Sequence, residues 1–105
     1  MIRSFLVAAA ITAAVPVAAQ AALSGFHDRA EQITTILQST DVANTARQAP
    51  IESLEFDGQR NDRLLKWEAD FGECDLDIYL QAHAPQGVGK TTYTVARIQA
   101  DDDCR

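Results

Sequence analysis

Leu65-Lys66-Trp67-Glu68-Ala69-Asp70-Phe71 and Cys74-Asp75-Leu76-Asp77-Ile78-Tyr79-Leu80-Gln81-Ala82 are two alternating runs separated only by Gly72-Glu73. Alternation with a period of two sends successive side chains to opposite faces of a strand. In the first run Leu65, Trp67, Ala69 and Phe71 share one face, and Lys66, Glu68 and Asp70 the other. In the second, Cys74, Leu76, Ile78, Leu80 and Ala82 are set against Asp75, Asp77, Tyr79 and Gln81. A two-residue loop with glycine first suits a type II′ turn, whose twist matches that of a hairpin. Such a loop predicts the register: Phe71 meets Cys74, Ala69 meets Leu76, Trp67 meets Ile78 and Leu65 meets Leu80. Every core residue then meets a core residue, whereas a slip by one would turn an entire apolar set to solvent.

The same register sets Asp70 against Asp75 and Glu68 against Asp77 on the polar face. Both are pairs without mutual hydrogen bonds, the kind in which opposed side chains approach more closely. Like charges there repel. Either counter-charges lie close, with Lys66 beside Glu68 and Arg97 on the next strand near Asp77, or the face is reserved for a basic partner or a cation. Glu68, Asp70, Asp75 and Asp77 are therefore the candidate binding residues.

Working outward, Leu54 and Phe56 alternate with Glu55 and Asp57 before a polar turn over Asp57–Asp62. Beyond the hairpin, a loop with Pro85, Gly87 and Gly89 leads to a last strand over about Thr91–Gln99. Upstream the period becomes helical. Ser24 is a candidate N-cap, Asp28 and Glu31 favour the helix dipole, and Phe26, Ala30, Ile33 and Leu37 make an apolar stripe with Ile36 beside it. Ser39-Thr40-Asp41 can recap a second helix, and Pro50 ends the helical stretch. The expectation is an α+β domain. A helix over Gly25–Gln48, kinked or divided into two short ones, packs on a four-stranded antiparallel meander. In that topology the end of the fourth strand lies beside the start of the third, so Cys74 and Cys104, the only two cysteines, should form a disulfide.

The N-terminus agrees with oxidised cysteines. Arg3 precedes an uncharged apolar stretch, Phe5–Val17, and Ala19-Gln20-Ala21 offers a cleavage site. This is the layout of a secretory signal peptide, too short for a membrane span. Residues 1–21 are expected to be removed, leaving residues 22–105 as one exported domain, periplasmic or secreted, with no membrane anchor. Export permits disulfides. Removal takes away Arg3 alone among charged residues and leaves eight basic and fifteen acidic side chains, a formal net charge of −7. That sign opposes nucleic-acid binding and suits a basic protein partner.

Gln86-Gly87-Val88-Gly89-Lys90-Thr91-Thr92 resembles the end of a phosphate-binding loop, notably the variant motif of some partitioning ATPases. Ala84 and Pro85 stand where that resemblance requires glycine and lysine, and the following Thr-Tyr-Thr-Val favours a strand over a phosphate-facing helix. Gln86-Gly87-Val88-Gly89-Lys90 is also similar to the Q-x-V-x-G element of cystatins, with Lys90 in place of the last glycine. The likeness is an analogy that assigns no family; the glycine-rich loop is a second candidate binding element in its own right. Catalysis lacks its parts: His27 and His83 are the only histidines, and the cysteines are committed to each other. Asp101-Asp102-Asp103 beside Cys104 offers oxygen atoms but no calcium-loop spacing. No cofactor or metal is expected. The reading is a non-catalytic exported binding domain, in its sharpest form an inhibitor of a basic extracytoplasmic protein. A small cation- or ligand-binding domain is the alternative, and a hydrolase is third.

Overall fold

The computed structural model describes residues 24–102 and 104. The expected signal peptide, residues 1–21, and Asp103 of the acidic tail lie outside the described residues. Two helices, α1 (Gly25–Leu37) and α2 (Thr40–Thr45), precede β1 (Ser53–Gln59), β2 (Leu65–Asp70), β3 (Asp75–His83) and β4 (Thr92–Ala100). The strands form one antiparallel sheet in the order β1-β2-β3-β4, and the helices pack on its apolar face. The fold is α+β, and the helical stretch is divided in two. Ser24 caps α1 by accepting from the His27 N–H at 3.3 Å, and Ser39 caps α2 by accepting from the Val42 N–H at 3.2 Å. Each hydroxyl satisfies a donor that has no partner within its helix.

The central hairpin has the expected register, from Leu65 opposite Leu80 to Asp70 opposite Asp75. Gly72 has φ 86° while Glu73 is not left-handed, which matches type II′ and not type I′. Two departures are local. β1 continues through the expected turn at Asp57 to Gln59, with its pairing shifted after Phe56 and Gly58 at φ 92°. In β4 the pairing skips Ala96, so that Arg97 opposes Tyr79 and Val95 opposes Leu80. This bulge lets Tyr93 and Val95 before it, and Ile98 after it, all pack against the core.

Leu76, Ile78, Leu80 and Ile36 are fully buried, with Trp67, Ala69 and Val42 beside them. The helix meets this core through a face rotated from the expected stripe, keeping Ile36 and Ile33 but adding Gln32. Gln32 and Ile36 are buried, whereas Phe26 is 78% and Leu37 is 56% exposed. Trp67 is buried as expected, and Ile33 packs at the margin of the core, but Leu37 does not cover it. The physical reason is a chain of hydrogen bonds that makes a polar helix face the better one to bury. The Trp67 indole N–H donates to Gln32 Oε1 at 2.9 Å. Gln32 Nε2 donates to Asp28 Oδ2 at 3.4 Å, and the Tyr93 hydroxyl donates to Asp28 Oδ1 at 2.7 Å. Burial, and the bond to Asp28, push the Tyr93 hydroxyl up to about 12.

Cys74 and Cys104 are joined, with their Cα atoms 4.6 Å apart. Closing a loop across 30 positions stabilises a chain by about 3–4 kcal/mol in the loop-entropy model, a large share of a small domain's stability.

Candidate functional site

The outer face of the sheet, opposite the helices, is built in cross-strand rows. Ser53, Asp70 and Asp75 form the row nearest the central turn, and Glu55, Glu68 and Asp77 form the next. Lys66, Tyr79 and Arg97 follow, with Asp57 joined to Lys66 from β1. The four expected carboxylates, Glu68, Asp70, Asp75 and Asp77, are brought together in the opposed pairs that the hairpin register predicts. Glu55 and Asp57 extend the same surface and were not among the expected site residues. Their alternation with Leu54 and Phe56 placed them on a polar face, but the irregular β1–β2 connection hid which residues of β2 they would meet.

Lys66 is the counter-charge. Its Nζ lies 3.1 Å from Asp57, 3.7 Å from Glu68 and 3.9 Å from Asp77. The lysine side chain is only 15% exposed, while those of Asp57, Glu68 and Asp77 are 46%, 50% and 38% exposed. Its hydrogen bond to Asp57 holds the Asp57 carboxyl below the usual carboxylate range and raises the lysine above its own. Glu68 moves the other way. A hydrogen bond to Asp57 and the repulsion of that charge favour its protonated form. One cation thus serves three carboxylates. Asp70 also has a structural duty, because its Oδ1 accepts the Gly72 N–H at 2.9 Å and steadies the turn.

The expected partner of Asp77, Arg97, is elsewhere. The β4 bulge places Gln99 opposite Asp77 and Arg97 opposite Tyr79. The Arg97 guanidinium lies 4.1 Å from the centre of the Tyr79 ring and 3.9 Å from Asp62. Tyr79 is 5% exposed despite lying on the outer face, and it forms with Arg97 a wall beyond the acidic rows. The face holds an open depression of about 340 Å³ lined by Glu55, Lys66, Glu68, Asp70, Asp75 and Asp77.

The second candidate, Gln86-Gly87-Val88-Gly89-Lys90, forms the connection between β3 and β4. It stands at the far end of β3 from Asp75, so the two candidate elements do not form one site. Val88 is 82% exposed, and Lys90 is tied to Glu31 of α1 at 2.8 Å. A strand follows this loop, so it lacks the helix N-terminus that would face a phosphate. His27 contacts Ser24 Oγ at 3.0 Å and His83 contacts Thr94 Oγ1 at 2.8 Å, at separate places in the fold. Ligand atoms of Cys74, Asp101 and Cys104 lie within 4.8 Å of one another, but sulfurs joined in a disulfide are not thiolate ligands. Among the described residues no helix is long and apolar enough to cross a membrane.

No protein-family model, characterised protein or solved structure matches this chain.

Proposed function

We propose that this protein is an exported, non-catalytic binding domain that captures a basic protein partner on its outer sheet face. The observation that carries this reading is the row Glu55, Glu68 and Asp77, flanked by Asp70 opposite Asp75, in a depression where a half-buried Lys66 is already shared among three carboxylates. A sheet gains nothing in stability from opposed like charges. A partner's lysines and arginines placed over them would relieve that repulsion and be steered toward it from a distance. Export is supported by the disulfide, which needs an oxidising compartment, and by the layout of residues 1–21. A non-catalytic role is supported by the histidines' separate contacts and by cysteines that offer no free thiol. An inhibitor of a basic extracytoplasmic enzyme is the most specific form of the reading.

The test is capture of basic extracytoplasmic proteins by the immobilised protein over a salt series, alongside thermal melting with and without calcium. Capture that weakens steeply as salt rises, with a calcium-insensitive melting temperature, is the expected result. A calcium-dependent rise in melting temperature without such capture would transfer the same carboxylates to the alternative role of a small cation-binding domain.

A further inference from the structure

Resting on that reading, we propose how the partner binds: as an extended basic segment that adds a fifth strand along the open edge of β1. The strand order leaves β1 and β4 as edges. The β4 edge is interrupted by the bulge at Ala96 and flanked by Asp41, Asn44 and Thr45 of α2. Among the described residues β1 packs chiefly against β2, and Arg29 of α1 reaches it only over the inner-face Phe56 ring. The bond from the Phe71 N–H to the Cys74 carbonyl at 2.8 Å sets the phase of the ladder. By antiparallel alternation Glu68 and Glu55 then turn their backbone groups toward each other, and Leu54 and Phe56 turn theirs outward. Two N–H and two C=O groups are thereby presented to an incoming strand.

Side chains on both faces of this edge specify the occupant. On the outer face Glu55 and Asp57 are exposed, so residues added beside them should be basic. On the inner face Leu54 and Phe56 are only half-buried, because α1 is held toward β4 by the Tyr93–Asp28 and Lys90–Glu31 contacts. Arg29 lies over the Phe56 ring at 3.7 Å and borders an apolar depression of about 400 Å³ that Phe26, Ala30 and Ile33 also line. Residues added beside Leu54 and Phe56 should therefore be apolar. The occupant alternates basic and apolar residues. A second copy of this chain fits poorly, since a two-fold pairing centred on Glu55 sets that carboxylate against its own copy.

A short capped peptide alternating lysine and valine is the probe, titrated calorimetrically into the purified protein at low salt. In the bound register the valine N–H groups would bond to β1 and the lysine N–H groups would point away. N-methylation of the valines should weaken binding about ten-fold, the loss expected from two backbone hydrogen bonds. N-methylation of the lysines should not, and the Leu54 and Phe56 amides should become protected from hydrogen exchange. Equal affinity of the two N-methylated peptides, with unchanged exchange, would overturn the strand-addition inference and leave the acidic-face reading standing. Absence of salt-sensitive binding by any lysine peptide would overturn both. Concentration-dependent dimers with these amides protected, in the absence of peptide, would assign the edge to a second copy and overturn the inference.

Discussion

Gln32 is where the helix and the sheet of this protein are joined by hydrogen bonds as well as by apolar contact. At 3% exposure its amide can be buried because the oxygen accepts from Trp67 and the nitrogen donates to Asp28. Removing one member leaves another unsatisfied, which costs more than the net value of the bond. Trp67→Phe, which deletes the indole N–H, should lower unfolding free energy by about 1–3 kcal/mol, and Trp67→Ala by about 3–5 kcal/mol, as read from urea denaturation. An unchanged denaturation midpoint in Trp67→Ala would show that the indole does not bridge the two layers. Tyr93 extends the chain and gives it a pH dependence. Its hydroxyl is held neutral until about 12 in the fold, whereas an unfolded tyrosine ionises near 10. The stability it contributes is therefore complete below about pH 10 and lost as pH rises from there toward 12. Lys66, also raised, loses its contribution in the alkaline range, so the comparison needed is wild type against Tyr93→Phe. The variant should show a shallower alkaline decline, and its ultraviolet titration should lack the phenolate step near 12.

At the scale of elements, the hairpin was legible because its loop has only two residues and the apolar residues pair throughout. The disulfide followed from the meander. Helix existence and capping were legible too, but the face of α1 that packs was not. Apolar spacing pointed to Phe26, Ala30, Ile33 and Leu37 with Ile36 beside them, and of these Ile36 and Ile33 do pack on the core, but spacing cannot foresee that a glutamine will be satisfied by a tryptophan 35 positions away. The β4 bulge was hidden for a related reason: a single skipped residue leaves no mark on an alternating pattern, yet it decides that Arg97 covers Tyr79 and not Asp77. The rotation of α1 makes a measurable prediction. Ile36→Ala should destabilise by about 2–5 kcal/mol, and Leu37→Ala, at a largely exposed position, by no more than about 0.5 kcal/mol. Comparable losses in the two variants would restore the apolar stripe as the packing face.

Across the whole molecule, the sheet separates two unlike surfaces. One side carries the helices and the core, and the other carries carboxylates in rows across three strands. The hairpin made four of these carboxylates visible in the sequence, while Glu55 and Asp57 joined them only through the β1 pairing. Of the fold, the layers, strand order and disulfide were legible. Of the site, its centre and the Lys66–Glu68 pair were legible, but its extent, its depression and the sharing of Lys66 with Asp57 and Asp77 were not. If this face serves to meet a basic partner, removing charge from its middle row must abolish that encounter. Glu68→Gln combined with Asp77→Asn keeps side-chain size and removes two opposed charges without setting lysines against each other. The double variant should melt at the wild-type temperature or slightly above it, and should lose capture of the basic partner, chiefly through slower association at low salt. A double variant that melts as wild type and retains full, salt-sensitive capture would contradict the claim and leave the acidic face as a solvated surface.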